Sequence, residues 1–266
     1  MSIFALILLG LMSGAGAGLL AGLLGVGGGI VIVPVVYYGL VNTGVVPDEA
    51  THIAVATSLA AIGPAAVTSF LGQWSAGNTD FDFLRKWGPG IAAGVVAAQL
   101  TAPYVRGAVM SGIFGLFCIA FAVRFAAPDY FRPVLDRPPG GVFRVFSGVG
   151  IGAVSGFAGI GGGILTNIVM TLSGLPMHKS IGRAAAAGIV VSIPATITAA
   201  LASKSEHATV IGSIDVAIWL CVAPAQAAAA WCGARLASHI PAASLSRLMA
   251  VTLSVTGATM LYGSIV

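Results

Sequence analysis

Apolar residues fill this chain in long runs, and polar positions fall in short clusters between them. A helix needs about 20 apolar residues to cross the hydrocarbon of a bilayer. That rule predicts segments at 2–40, 50–71, 83–101 and 104–125, then at 142–175, 180–202, 215–237 and 242–264. The first segment of each set is long for one crossing, with room for a full helix plus a short half-helix. Each also contains a glycine cluster. The expected fold is an all-α polytopic membrane helix bundle of two homologous four-element repeats, the first element of each broken at a GxGGG cluster. Residues 1–125 form repeat 1, 126–141 a proline-rich linker, and 142–266 repeat 2.

The duplication is read from matched residues. GLLAGLLGVGGGI at 18–30 aligns with GAVSGFAGIGGGI at 152–164 at a constant offset of 134 residues. AIGPAAVTS at 61–69 faces VSIPATITA at 191–199, so Pro64 answers Pro194, and further on Asp80 answers Asp215 and Pro89 answers Pro224. An even number of crossings per half would make the repeats parallel, and an odd number would invert them.

Composition removes most other classes. The chain is 58% hydrophobic and 8% charged, with a mean hydropathy of +1.01, against roughly 25% charged residues in a soluble domain. Its net charge of +4 is dispersed between apolar runs, which suits membrane orientation and not nucleic acid. Arg124, Arg132, Arg137 and Arg144 surround the linker, and the loop VNTGVVPDEA has no basic residue, so the linker is placed in the cytoplasm. Counting one crossing per element then places both termini inside as well, with Arg85, Lys86 and Lys204. Lys179 and Arg183 fall on the other side, against the rule. Cys118, Cys221 and Cys232 form no CxxC or His-spaced set and read as small packing residues. The apolar start lacks a basic n-region and is read as the first helix, not a cleaved signal.

The glycines carry the chemistry. Gly14, Gly18 and Gly22 are spaced for close helix contact. The contiguous Gly27, Gly28, Gly29 and Gly161, Gly162, Gly163 would each cost about 1 kcal/mol relative to alanine in a continuous helix, and suggest a break. A helix restarting after the break presents free N–H groups and a positive dipole end, which hold an anion without a buried cation. Gly-interrupted segments at matching positions in two halves point to a transporter binding site. Thr57, Ser58, Thr166 and Asn167 are candidates to complete it, although membrane hydroxyls often bond only their own helix. Arg183 either faces the bundle interior or snorkels to the interface. His52 is either a proton relay or an ordinary loop-end histidine. Asp80 and Asp215 are read as helix caps, and Gln99 and Gln226 as helix-to-helix hydrogen-bonding groups. No HExxH, GxSxG, P-loop or paired-carboxylate spacing occurs, so neither an enzyme, a metal nor a cofactor is expected.

The paired GLLGVGGGIVIVPVV and GFAGIGGGILTNIVM, with the following ATSL, resemble the TauE/SafE family of sulfite exporters over essentially the whole chain. The resemblance implies a secondary transporter of the bacterial inner membrane that exports a small sulfur-containing oxyanion, sulfite or an organosulfonate. Its partners would be that anion and the lipid bilayer, with a homodimer left open. The second copy departs from the first: Thr166 and Asn167 replace Ile32 and Val33, and AAAAG at 184–188 stands where the first copy has Ala56, Thr57 and Ser58. An anion channel, or a non-transporting membrane partner or assembly protein, are the rival readings.

Overall fold

The computed structural model describes residues 3–79, 81–126, 135, 137–201 and 209–265. Asp80, Lys204 and most of the linker expected at 126–141 therefore lie outside the described residues. The first half contains α1 (Ile3–Leu24), α2 (Gly29–Asn42), α3 (Pro47–Ser75), α4 (Phe81–Thr101) and, after a 3-10 turn at Ala102–Tyr104, α5 (Gly107–Ala126). The second contains α6 (Gly141–Ala158), α7 (Gly163–Leu172), α8 (Met177–Leu201), α9 (Val216–Ala237) and α10 (Ala242–Ile265). A two-stranded hairpin, β1 (Val210–Ile211) and β2 (Ile214–Asp215), precedes α9. The chain is thus an all-α bundle apart from that hairpin, and the break in the first element falls where the glycines predict it. The helices α3, α5, α6, α8, α9 and α10 are long and apolar enough to cross a bilayer.

Local chemistry explains the ends. Pro47 occupies the first turn of α3, where its missing N–H costs nothing, and Asp48 and Glu49 beside it suit the positive end of the helix dipole. Asp215 caps α9 as expected, its Oδ1 accepting from the Ile218 N–H at 3.0 Å. Its Oδ2 accepts from Thr209 at 3.1 Å, which ties the hairpin to the helix it introduces.

Glycine stripes decide which helices meet. Gly10, Gly14, Gly18 and Gly22 of α1 all face α9: a Cβ at Gly10 would lie 2.8 Å from Cys221 Cβ, and one at Gly18 would lie 2.8 Å from Gln226 Cα. Gly148, Gly152 and Gly156 of α6 face α4 in the same way, with a Cβ at Gly156 falling 2.8 Å from Ala98 Cβ. Backbones approach this closely only where side chains are absent. Each half therefore packs its first helix against the fourth long segment of the other half. The centre is held by α3 and α8, which cross in opposite directions where Gly63 meets Ser192.

The direction of each helix follows from these contacts and corrects one expectation. Along α3 and α9, Thr57 meets Asp215 and Thr68 meets Ala227, so the two run the same way, and α1 runs with them. The α2 helix turns back: Ile30 meets Thr256, Tyr38 meets Thr259 and Tyr37 meets Gly263, parallel to α10. Gly107 and Ser111 of α5 lie at Asp48 and Thr51 of α3, and Phe125 meets Ser246 of α10. Each half thus makes five alternating passes, and α6 to α10 run opposite to α1 to α5. Both termini lie at one face of the bundle and the linker at the other. One crossing per element does not describe this chain, because α2 and α7 each reverse direction instead of continuing α1 and α6.

Candidate functional site

Both breaks are buried, and both restart a helix from a left-handed glycine. Gly28 caps α2 with φ 78°, and Gly162 caps α7 with φ 72°. A side chain in this region costs roughly 1–2 kcal/mol, so glycine is required by the backbone itself. The Gly28 carbonyl accepts from the N–H of Val31 and of Ile32, and the Gly162 carbonyl accepts from Thr166. The N–H groups ahead of those bonds have no acceptor within their own helix.

The two breaks lie against each other. A Cβ on Gly27 would stand 3.2 Å from Gly161 Cα, a Cβ on Gly29 would strike the Gly159 carbonyl, and a Cβ on Gly163 would strike the Gly25 carbonyl. Gly27, Gly29, Gly161 and Gly163 therefore meet at one crossing, halfway along α3 and α8, while Gly28 faces Gln226 and Ala17 and Gly162 faces Val191, Ser155 and Ile151. Two helix N-termini with positive dipole ends converge there.

The other predicted residues divide. Ser58 reaches the crossing, donating to the Gly159 carbonyl at 3.0 Å. Thr57 does a different job: its Oγ1 accepts from the Asp215 N–H at 2.9 Å and anchors the hairpin. Thr166 and Asn167 are fully buried, and neither Thr166 Oγ1 nor either amide atom of Asn167 has a hydrogen-bond partner. A buried polar group left unpaired costs about 1–3 kcal/mol, so a bound water, ion or ligand at these atoms would stabilise the fold. Arg183 is held elsewhere. Its Nη1 points to Met170 Sδ at 3.5 Å, and its guanidinium lies 6.0 Å from the Phe83 ring centroid, near the linker-side end of α8.

His52 lines a vestibule of about 310 Å³ that opens at the face carrying the termini, with Glu49, Gln99, Thr198 and Ser213 around it. Its inner wall includes Val55, whose Cα lies 3.1 Å from the position of a Cβ on Gly159. Val55 thus belongs both to the vestibule wall and to the packing against the second break. Among the described residues, no group of three or more His, Cys, Asp or Glu could hold a metal ion.

Two residues at the crossing were not legible as site groups. Gln226 Nε2 donates to the Gly27 carbonyl at 2.8 Å, leaving its Oε1 buried and unpaired. Ser155 Oγ, also buried and unpaired, lies 3.5 Å from the position of a Cβ on Gly162. Ser155 belongs to the GAVSGFAGIGGGI motif, which was the one signal available for it.

Comparison with known proteins gives the family. The profile of the family described as Sulfite exporter TauE/SafE matches residues 10–260. A probable membrane transporter protein of Haemophilus influenzae is 31% identical over 190 residues, 71% of this chain and 72% of that protein. Another, of Methanocaldococcus jannaschii, is 25% identical over 251 residues, 92% of this chain and 91% of that protein. No solved structure matches the chain.

Proposed function

The chain belongs to the TauE/SafE sulfite exporter family and is a multi-pass membrane transporter, and from that premise we propose that it exports a small sulfur-containing oxyanion, sulfite or an organosulfonate. The observation that carries the reading is the meeting of two helix N-termini, at Gly28 and Gly162, in the buried centre. Free N–H groups and two dipole ends suit an oxyanion and supply no buried full charge for it to carry along. Gly27, Gly28, Gly29 and Gly161, Gly162, Gly163 form the cradles. Ser58, Thr166 and Asn167 contribute hydrogen bonds as the two halves rock, and Thr57 acts through the hairpin it anchors. Arg183 attracts the anion at the linker-side mouth, and His52 exchanges protons at the vestibule.

Charge and helix direction support one membrane orientation. Among the described residues, Arg85, Lys86, Arg124, Arg144, Lys179, Arg183, Arg235 and Arg247 lie towards the linker face, against Arg106 at the face of the termini. The positive-inside rule then puts the linker in the cytoplasm and both termini outside it, in an inner membrane. Lys179 and Arg183, which opposed the rule under an even count of crossings, obey it under five passes. The vestibule beside His52 faces outward, as the release side of an exporter would. A crossing closed to water with a vestibule on one side favours a carrier over an open pore.

Thermal unfolding of the detergent-solubilised protein tests this reading. Sulfite or a small sulfonate should raise the melting temperature with concentration, because a ligand of the folded state stabilises it. No response to any sulfur oxyanion, together with a response to carboxylates, would reassign the cargo.

A further inference from the structure

Ile62 is fully buried at the centre of α3 and touches both glycine breaks. Its Cγ2 lies 3.1 Å from the position of a Cβ on Gly27 and 2.8 Å from that on Gly161, and its Cδ1 lies 3.1 Å from that on Gly29. The residue at the matched position of α8 is Ser192, so the two halves differ here: one side of the crossing is filled by a branched hydrocarbon.

Two cavities flank this side chain along the same pair of helices. On the side of the termini, the vestibule is lined by Val55 and Ala56 of α3 and by Thr198 and Ala199 of α8. On the linker side, a crevice too narrow to admit water is lined by Ala65 and Ser69 of α3, by Ala185 and Gly188 of α8, and by Gly25 and Gly27 of the first break. The α3 numbers rise from vestibule to inner crevice and the α8 numbers fall, as two antiparallel helices bounding one path require. Ile62 stands between them, about 14 Å separating Ala56 from Ala65 along the helix axis. Ser69 Oγ in the inner crevice is buried without a hydrogen-bond partner.

We infer that Ile62 is the plug of the transport path, separating the vestibule from the narrow inner crevice at Ser69, and that its size limits the cargo that passes. This rests on reading the crossing as a transport site. A small oxyanion would pass only when the halves rock and carry Ile62 away from Gly27 and Gly161. Trimming the side chain leaves the cradles in place and opens a connection beside them.

The test uses the full-length protein in detergent with Cys221 and Cys232 changed to serine and Ser69→Cys added as a reporter of the inner crevice. A methanethiosulfonate reagent bearing a small sulfonate is the probe. In the Ile62→Ala background the labelling rate of the reporter should rise several-fold, and in Ile62→Val by a smaller step, with both variants melting cooperatively. Equal rates in all three backgrounds would overturn the plug. If Ile62→Ala fails to fold, the comparison of Ile62→Val with the parent decides in the same way. In proteoliposomes, flux of a longer sulfonate relative to sulfite should rise about tenfold for Ile62→Ala, the scale on which methylene-sized space discriminates substrates. An unchanged ranking would overturn the size-limiting role. Parent liposomes that move no sulfur oxyanion would sink the proposed cargo while leaving the labelling result to judge the plug.

Discussion

Thr256 of α10 donates a 3.0 Å hydrogen bond to the carbonyl of Ile30, the first-turn acceptor in α2 that Pro34 leaves without its helical partner. Proline lacks the N–H that would return to the residue four positions earlier. The hydroxyl of one helix thus completes the backbone of another, immediately after the glycine crossing. Thr256→Val should lower stability by about 1 kcal/mol, read as a drop in melting temperature. Adding Pro34→Ala restores an N–H to Ile30 and should recover most of the loss. Additive losses in the double variant would show that the two residues are not coupled.

The glycines at the crossing differ in what they tolerate. Gly163→Ala and Gly29→Ala place a methyl group on the backbone carbonyls of Gly25 and Gly159, which cannot swing aside as a side chain can. Both should abolish transport and lower the melting temperature. Gly39→Ala and Gly150→Ala meet nothing within 4 Å and should be neutral or stabilising by up to about 1 kcal/mol. Comparable losses at all four positions would mean that loss of glycine alone, not contact, is the cause.

Orientation is checked with reporters. Alkaline phosphatase fused at either terminus should be active and a fluorescent protein fused there should be dark, with the reverse for insertions at 126–141. Active phosphatase at one terminus only would rule out the alternation of five passes per half.

Asp215 joins the hairpin, α3 and α9, and its removal should be felt at all three. Asp215→Ala loses the cap on Ile218 and the bond from Thr209, for a cost of about 1 kcal/mol. Thr57→Val removes the acceptor for the Asp215 N–H and should cost about as much, while Ser58→Ala should weaken transport with a smaller change in melting temperature. A Thr57→Val variant with normal stability and lost flux would instead place Thr57 among the groups that touch the cargo.

Helix positions and the breaks were readable because hydropathy, glycine spacing and prolines act locally. The stripe at Gly14, Gly18 and Gly22 was legible for the same reason, since close approach of two backbones leaves a residue-spacing signature. Direction was not. Nothing in the composition of α2 or α7 says whether it continues or reverses the helix before it, and the placing of the termini relative to the linker changed with those two reversals. Gln226 and Ile62 were opaque for a different reason: a glutamine bonded to Gly27 and an isoleucine seated against Gly161 look like other buried residues until the two breaks are brought together. Thr57 and Ser58 are neighbours in sequence, but Ser58 turns to the crossing and Thr57 to the Asp215 N–H, a division that sequence proximity does not reveal.

The exchange of partners between halves, α1 lying along α9 and α6 along α4, also sets a timetable for synthesis. At roughly 5–20 residues per second, α1 leaves the ribosome tens of seconds before the helix that will cover its glycine face exists. Until then that notched surface must rest against lipid or the insertion machinery, and the first half has no finished state of its own to reach. Assembly is therefore a late, concerted closure. A chain stopped short of α9 should be recognised by the cell's quality control as unfinished, however well its individual helices have inserted.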